Sequence, residues 1–167
     1  MFSQSENQPR FGLFIAPTLG LDHSPPDSDG ENDDLYNDLL PLIGGIFEFK
    51  PEETIYSINI GLEPMFNWGY SYAFTVDLLL QSKYRLNEFF KFDIGIGAMS
   101  RNGSINFSKS TYTQNGIYLS ISPELRLKCG LMFAPSFCAG WLDHKAKYGD
   151  SGDFWRAWGR ISIGYLF

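Results

Sequence analysis

Two histidines each follow an aspartate, His23 after Asp22 and His144 after Asp143, and they are the residues in this chain best suited to proton transfer. A histidine oriented by a carboxylate activates a hydroxyl for acyl transfer, and Ser24 or Ser71 would be the hydroxyl beside His23. No motif of fixed spacing joins them, and Asp-His is an ordinary pair in a polar loop. The run Asp27-Ser28-Asp29-Gly30-Glu31-Asn32-Asp33-Asp34 offers hard oxygen ligands, with Asp27, Asp29 and Asp33 as candidates for a divalent cation. Its glycine comes too early for an EF-hand loop, which needs one at the sixth position. A solvated acidic loop accounts for the same residues, so neither a metal nor any other cofactor is expected. Cys129 and Cys138 would permit one disulfide. The strand phases given below place them on opposite faces, so both are read as small packing residues.

The elements that carry these groups are read from periodicity. The last stretch, FWRAWGRISIGYLF (154–167), puts Trp155, Ala157, Gly159, Ile161, Ile163, Tyr165 and Phe167 on one side of an extended strand. Arg156, Trp158, Arg160, Ser162, Gly164 and Leu166 fall on the other. A soluble sheet turns its apolar face inward and its charges outward; arginines sharing a face with a tryptophan, opposite a face with no charge, suit an apolar exterior against lipid and a polar lumen. The same alternation recurs. Residues 56–68 set Tyr56, Ile58, Ile60, Leu62, Pro64, Phe66 and Trp68 against Ser57, Asn59, Gly61, Glu63, Met65 and Asn67. After a tight connection at Gly69, residues 70–83 repeat it, with Asp77 and Lys83 inward, so the two runs form a hairpin.

Further strands are expected at 11–21, 39–49, 89–100, 116–129, 133–141 and 154–167, with Phe14 breaking the alternation of the first. Long polar loops separate some of them, at 22–38, 101–116 and 143–153, and short turns lie near 51, 84 and 130. Eight strands with both termini at one end give an all-β fold: an eight-stranded antiparallel up-and-down transmembrane β-barrel. The inward polar set is Glu48, Glu63, Asp77, Lys83, Lys91, Asp93, Glu124, Arg126, Lys128, Arg156 and Arg160. An eight-stranded barrel is just wide enough for its own side chains, so these charges are expected to pair and plug it; a gated proton or ion path is the functional alternative. The outward aromatics fall at two heights. Phe66, Trp68, Tyr70, Tyr72, Trp141 and Trp155 lie toward the loop end, and Phe49, Tyr56, Phe90, Phe133, Tyr165 and Phe167 toward the turn end. Two belts separated by aliphatic residues are girdles at two membrane interfaces, a sorting that a soluble core does not require.

Composition agrees. The 167 residues fit a single domain, 1–167, with 1–9 as a flexible leading segment. With 17% aromatic residues the mean hydropathy is still only -0.16, and no run approaches the roughly 18 apolar residues of a membrane helix, so any span is made of strands. The polar opening MFSQSENQPRF has no apolar core of a secretory signal. An exported protein is then expected to have lost its signal and to carry Met1 for expression; the alternative is a cytosolic protein. The net charge of -6 is local: residues 22–38 hold seven acids and no Lys or Arg, leaving 12 acids against 13 bases elsewhere. No basic footprint for nucleic acid is present.

With the strands placed, the chain resembles the small eight-stranded outer-membrane barrels of the Ail/OmpX type. YRLNEFFKFDIGIG is similar to that family's Tyr-Arg-(Ile/Leu)-Asn-acid-aromatic pattern followed by a glycine-rich strand, carried here by Tyr84, Arg85, Leu86, Asn87, Glu88, Phe89, Gly95 and Gly97. Gly164-Tyr165-Leu166-Phe167 resembles the family's Gly-Tyr-x-Phe finish, the assembly signal read by the barrel-assembly machinery. The acidic first loop with Pro25-Pro26 and the short connection at Gly69 depart from the pattern. The resemblance implies a monomer in the outer membrane of a Gram-negative bacterium, in contact with outer-membrane lipid and lipopolysaccharide. Its structural or surface-interaction role would run through extracellular loops, toward a host surface or extracellular ligand. Two other readings remain open. A lipid A-modifying enzyme would use a rim histidine such as His23 with a serine and a carboxylate. A soluble ligand-binding barrel, similar in outline to lipocalins, would need the apolar face turned inward.

Overall fold

The computed structural model describes residues 9–19, 42–49, 55–67, 71–105, 110–146 and 152–167. These form eight strands: β1 (Arg10–Ala16, resuming at Thr18–Leu19 after Pro17), β2 (Leu42–Phe49), β3 (Ile55–Asn67), β4 (Ser71–Arg85), β5 (Phe90–Ile105), β6 (Ser110–Arg126), β7 (Leu131–Ala146) and β8 (Gly152–Leu166). Each pairs antiparallel with its neighbour in sequence, and β8 pairs with β1 through Gly12↔Leu166 to Ile15↔Ile163 and again at Thr18↔Arg160, so the sheet closes. A closed sheet has no edge, which is what a strand protein needs where water cannot satisfy its peptide groups.

The registers fix the width. A circuit of paired residues from Arg10 through Glu48, Ser57, Gln81, Gly95, Ser120 and Cys138 reaches Trp158, one residue past Gly159, the partner of Leu19. The circuit therefore returns opposite position 20, ten residues along β1 from its start. At about 3.3 Å per residue and 4.8 Å between strands, that stagger over eight strands tilts them by about 40° and gives a backbone radius of about 8 Å. The lumen is thus filled by side chains.

The facing is the one the alternation dictates. Outward side chains form a lipid-like surface, with Phe11, Leu13, Ile43, Ile60, Ile96, Ile117, Leu119 and Phe137 all half or more exposed, while Glu48, Asp77, Lys83, Asp93, Glu124 and Arg160 are buried. This is the reverse of what a soluble ligand-binding barrel requires. Phe14, the exception in the first strand, turns inward and is buried with Leu42, Ile46, Met132 and Leu166. On β5 the outward apolar run spans nine residues, Phe90 to Ala98, about 23 Å at this tilt and close to the apolar height of an outer-membrane barrel.

Three expectations are corrected. The segments 101–105 and 110–115, read as loop, are paired strand: Arg101 lies opposite Gln114 and Ile105 opposite Ser110. Their outward positions are polar and bond across the pair, Ser100 Oγ to Asn115 Oδ1 at 2.8 Å and Thr113 Oγ1 to Asn102 Oδ1 at 3.0 Å. Polar cross-strand pairs hold a ladder as well as apolar ones, which is why polarity alone misplaces the strand end. In the same way β7 runs to Ala146, and Asp143 and His144 lie opposite Asp153 and Gly152. Lys128, assigned to the lumen, is exposed in the turn after β6 and pairs with Glu88 at 3.0 Å. The strand ends at Arg126, and Gly130, at φ 96°, takes the left-handed conformation that lets the chain reverse. The other short turn is closed by Asn87, whose Oδ1 accepts from the backbone N–H groups of Phe89 at 2.8 Å and Phe90 at 2.9 Å.

The proline pair in β6 and β7 is accommodated locally. The β6–β7 pairing skips from Ile121↔Phe137 to Leu125↔Phe133, the stretch that holds Pro123 and Pro135. Neither can donate a ladder bond there. The Ser122 hydroxyl donates instead to the Pro135 carbonyl at 2.7 Å, satisfying an acceptor that the missing N–H groups leave.

Candidate functional site

Alternation delivers the inward residues of five strands into one narrow lumen, where they form two tiers. The tier toward the turn end joins Glu48 from β2, Lys83 from β4, Lys91 and Asp93 from β5, and Glu124 and Arg126 from β6. Lys83 Nζ lies 2.9 Å from Glu48 Oε1 and 3.5 Å from Asp93 Oδ2, and pairs with Glu124 as well. Arg126 grips Glu48 with both guanidinium nitrogens at 2.7 Å and also pairs with Glu124. Lys91 meets Glu124 at 3.5 Å. Three cations face three carboxylates, so the tier is neutral as a whole, which is the condition for holding charges away from water.

The second tier lies toward the loops. The Tyr118 hydroxyl sits 2.8 Å from both carboxylate oxygens of Asp77, and Arg160 reaches the same carboxylate at 3.0 and 3.3 Å. Trp158 packs edge-on against the Tyr118 ring at 5.1 Å. Gly97, directly across from Tyr118, makes this possible: a Cβ there would run into the tyrosine ring. Higher still, Arg101 is fully buried and its Nε donates to Thr75 Oγ1 at 2.8 Å. The tiers are separated by a void of only about 20 Å³, room for about one water. The arrangement is a packed polar plug with opposite charges matched within each of the two tiers.

Of the lumen set read from sequence, Glu48, Asp77, Lys91, Asp93, Glu124, Arg126 and Arg160 are buried and interlinked, and Arg156 is half-buried at the loop end. Sequence reasoning misses two members. It places Tyr118 inward without pairing it to Asp77, and it leaves Arg101 in a loop. The alternation Met99, Arg101, Gly103 continues the inward phase of β5 past its apolar run, and that phase is the available signal.

Of the girdle set, Tyr56, Trp141, Trp155, Tyr165 and Phe167 are exposed on the outer wall; Trp141 and Trp155 meet edge to face at 5.8 Å, and Tyr165 and Phe167 at 5.3 Å. Just above the tryptophan pair, Lys145 bonds Asp143 at 2.9 Å, which holds its ammonium above the ordinary lysine range. Gly164 faces the lumen, and Phe167 N donates to the Phe11 carbonyl at 2.7 Å, so the end of the last strand is tied to the first. Trp68, Tyr70, His23, Asp27, Asp29 and Asp33 lie outside the described residues, as do the side chains of Glu63, Phe66, Tyr72, Ser71 and His144. Among the described residues no group of three or more His, Cys, Asp or Glu is placed to hold a metal. Cys129 is exposed and Cys138 buried, and both are free thiols.

No family model matches the chain, and no curated protein does. Among solved structures it is similar to a major outer membrane protein from Thermus thermophilus, at 10% identity over 95% of this chain and 99% of that one, with a TM-score of 0.46.

Proposed function

We propose that this chain is an outer-membrane β-barrel of a Gram-negative bacterium, with a side-chain-filled lumen, serving a structural or surface-interaction role. The contacts would be made with lipopolysaccharide or a host surface, through the segments that rise from the loop end. The observation that carries the location is the outer wall: Ile96 (54%), Ile117 (63%) and Leu119 (64%) are exposed while Lys91, Asp93, Glu124 and Arg126 of the same strands are buried. An exposed apolar surface of this extent is stable only against lipid or a partner. The matched charges inside argue for a plug and against an open pore. Support for the surface role comes from β5 and β6, which continue about 17 Å past Ala98, the end of the outward apolar run of β5, so the protein carries a largely polar hairpin clear of the belt. The Tyr84–Phe89 and Gly164–Phe167 patches support the Ail/OmpX-like reading.

The test begins with gel migration of boiled and unboiled protein refolded in detergent, beside circular dichroism in detergent-free buffer. A heat-shifted band and strand signal only in detergent is the expected result, and a folded detergent-free monomer would overturn the location. Binding to lipopolysaccharide and to cultured host cells is then compared between the intact protein and one with 22–38 and the hairpin tip 102–113 shortened, which keeps the buried Arg101 and its partner position Gln114. Equal binding by the two would sink the surface role and leave a purely structural one.

A further inference from the structure

The void between the two tiers is walled by the barrel itself, with at least one residue from each of the eight strands. At about 20 Å³ it is room for one water or a bare monatomic ion. Polar groups line it from both tiers: Lys83, Asp93 and Glu124 on the turn side, and Arg160 on the loop side. Three of the lining residues carry a buried atom with no hydrogen-bond partner, Asn59 Oδ1, Asp93 Oδ1 and Arg160 Nε. The other polar atoms of these side chains are engaged. Asn59 Nδ2 donates to Gln81 at 2.6 Å, Asp93 Oδ2 lies 3.5 Å from Lys83, and the terminal nitrogens of Arg160 hold Asp77. Glu124 Oε1, also on the wall and without a hydrogen bond, is held by its ion pairs with Lys91 and Arg126. Two acceptors and one donor from β3, β5 and β8 therefore remain.

That set is the complement of a water molecule, which donates twice and accepts. Buried waters typically make about three hydrogen bonds to groups of this kind, and leaving such groups bare forfeits their hydration. A cation in the same place would meet Lys83 and Arg160, an anion would meet Asp93 and Glu124, and neither would keep a hydration shell there. We infer that the void is a binding site for a single water that donates to Asn59 Oδ1 and Asp93 Oδ1 and accepts from Arg160 Nε. The water joins the two tiers, so the plug is one hydrogen-bonded body from Lys91 and Arg126 to Tyr118. The inference concerns the middle of the lumen and holds whether or not the proposed surface role does.

The test is a crystal structure of the protein from maltoside micelles, at a resolution that shows ordered water. One peak should lie about 2.7–3.2 Å from all three atoms. It should remain a light atom when sodium is exchanged for rubidium and chloride for bromide. In solution, the Arg160 Nε–H proton should show a cross-peak to water whose sign reverses in the rotating frame, the mark of a bound water as opposed to proton exchange. Ala134 lines the void, and Ala134→Val should expel the water and abolish both signals; if that variant does not fold, the parent protein decides alone. No peak in the void, a peak out of reach of any one of the three atoms, an anomalous rubidium or bromide signal, or both signals persisting in folded Ala134→Val would each overturn the assignment.

Discussion

The Asp77–Arg160–Tyr118 group lets the energy of the plug be measured. Asp77 and Arg160 are 2% and 6% exposed, and the arginine makes both of its charged contacts on that one carboxylate. Asp77→Leu leaves a buried guanidinium without its counter-charge, and breaking such a pair from one side costs about 3–5 kcal/mol. Arg160→Met strands the carboxylate, but Tyr118 still donates to it, so the loss should sit at the lower end of that range. The double replacement removes both charges and fills the space with apolar volume. Because a buried pair contributes little beyond what it costs to desolvate, the double variant should lie within about 1–2 kcal/mol of the parent. The coupling energy of the cycle should therefore be about 3 kcal/mol or more in magnitude. Urea unfolding of the barrel in lipid vesicles, followed by tryptophan fluorescence, reads all four proteins, and Trp158 against Tyr118 places a reporter at the site. Additive single losses, with the double variant as unstable as their sum, would refute the claim that the two charges are buried against each other.

Two further outcomes follow from facing and packing. Ile60→Arg puts a charge on the outer wall at mid-strand of β3, between Gly45 and Leu78, and should cost about 2–4 kcal/mol in bilayers; a harmless substitution in a barrel still folded in lipid would show the strand phase to be wrong. Gly97→Ala places a Cβ against the Tyr118 ring and should cost about 1–3 kcal/mol while shifting the ring's proton resonances, and an unchanged tyrosine spectrum would show that the ring does not lie over Gly97.

Much of this molecule is written in its alternation. A period of two says which residues share a face, and a run of outward Ile, Leu, Phe and Trp with arginines and carboxylates on the opposite face has one physical solution, a closed sheet with apolar atoms outside. Strand number, order and facing are therefore legible, as is the list of charges that meet in the lumen. Strand ends are less so. Residues 100–105 and 110–115 are polar because they stand above the apolar belt, and polarity marks a loop only where a strand must be buried on one side. Lys128 illustrates the converse: the alternation carries on one turn too far, past the point where Arg126 ends the ladder and Gly130 reverses the chain.

What the sequence by itself determined is the solvent on each face of every strand, because side-chain direction is a local property of extended backbone. What only the tertiary structure decided is which inward charges meet: that Lys83 lies among Glu48, Asp93 and Glu124, and that Tyr118 and Arg160 share Asp77. Those partners are separated by up to 83 residues, and their meeting depends on the ten-residue stagger accumulated around eight strands. No local pattern encodes that stagger, since it is the sum of eight registers and is fixed only when β8 closes on β1.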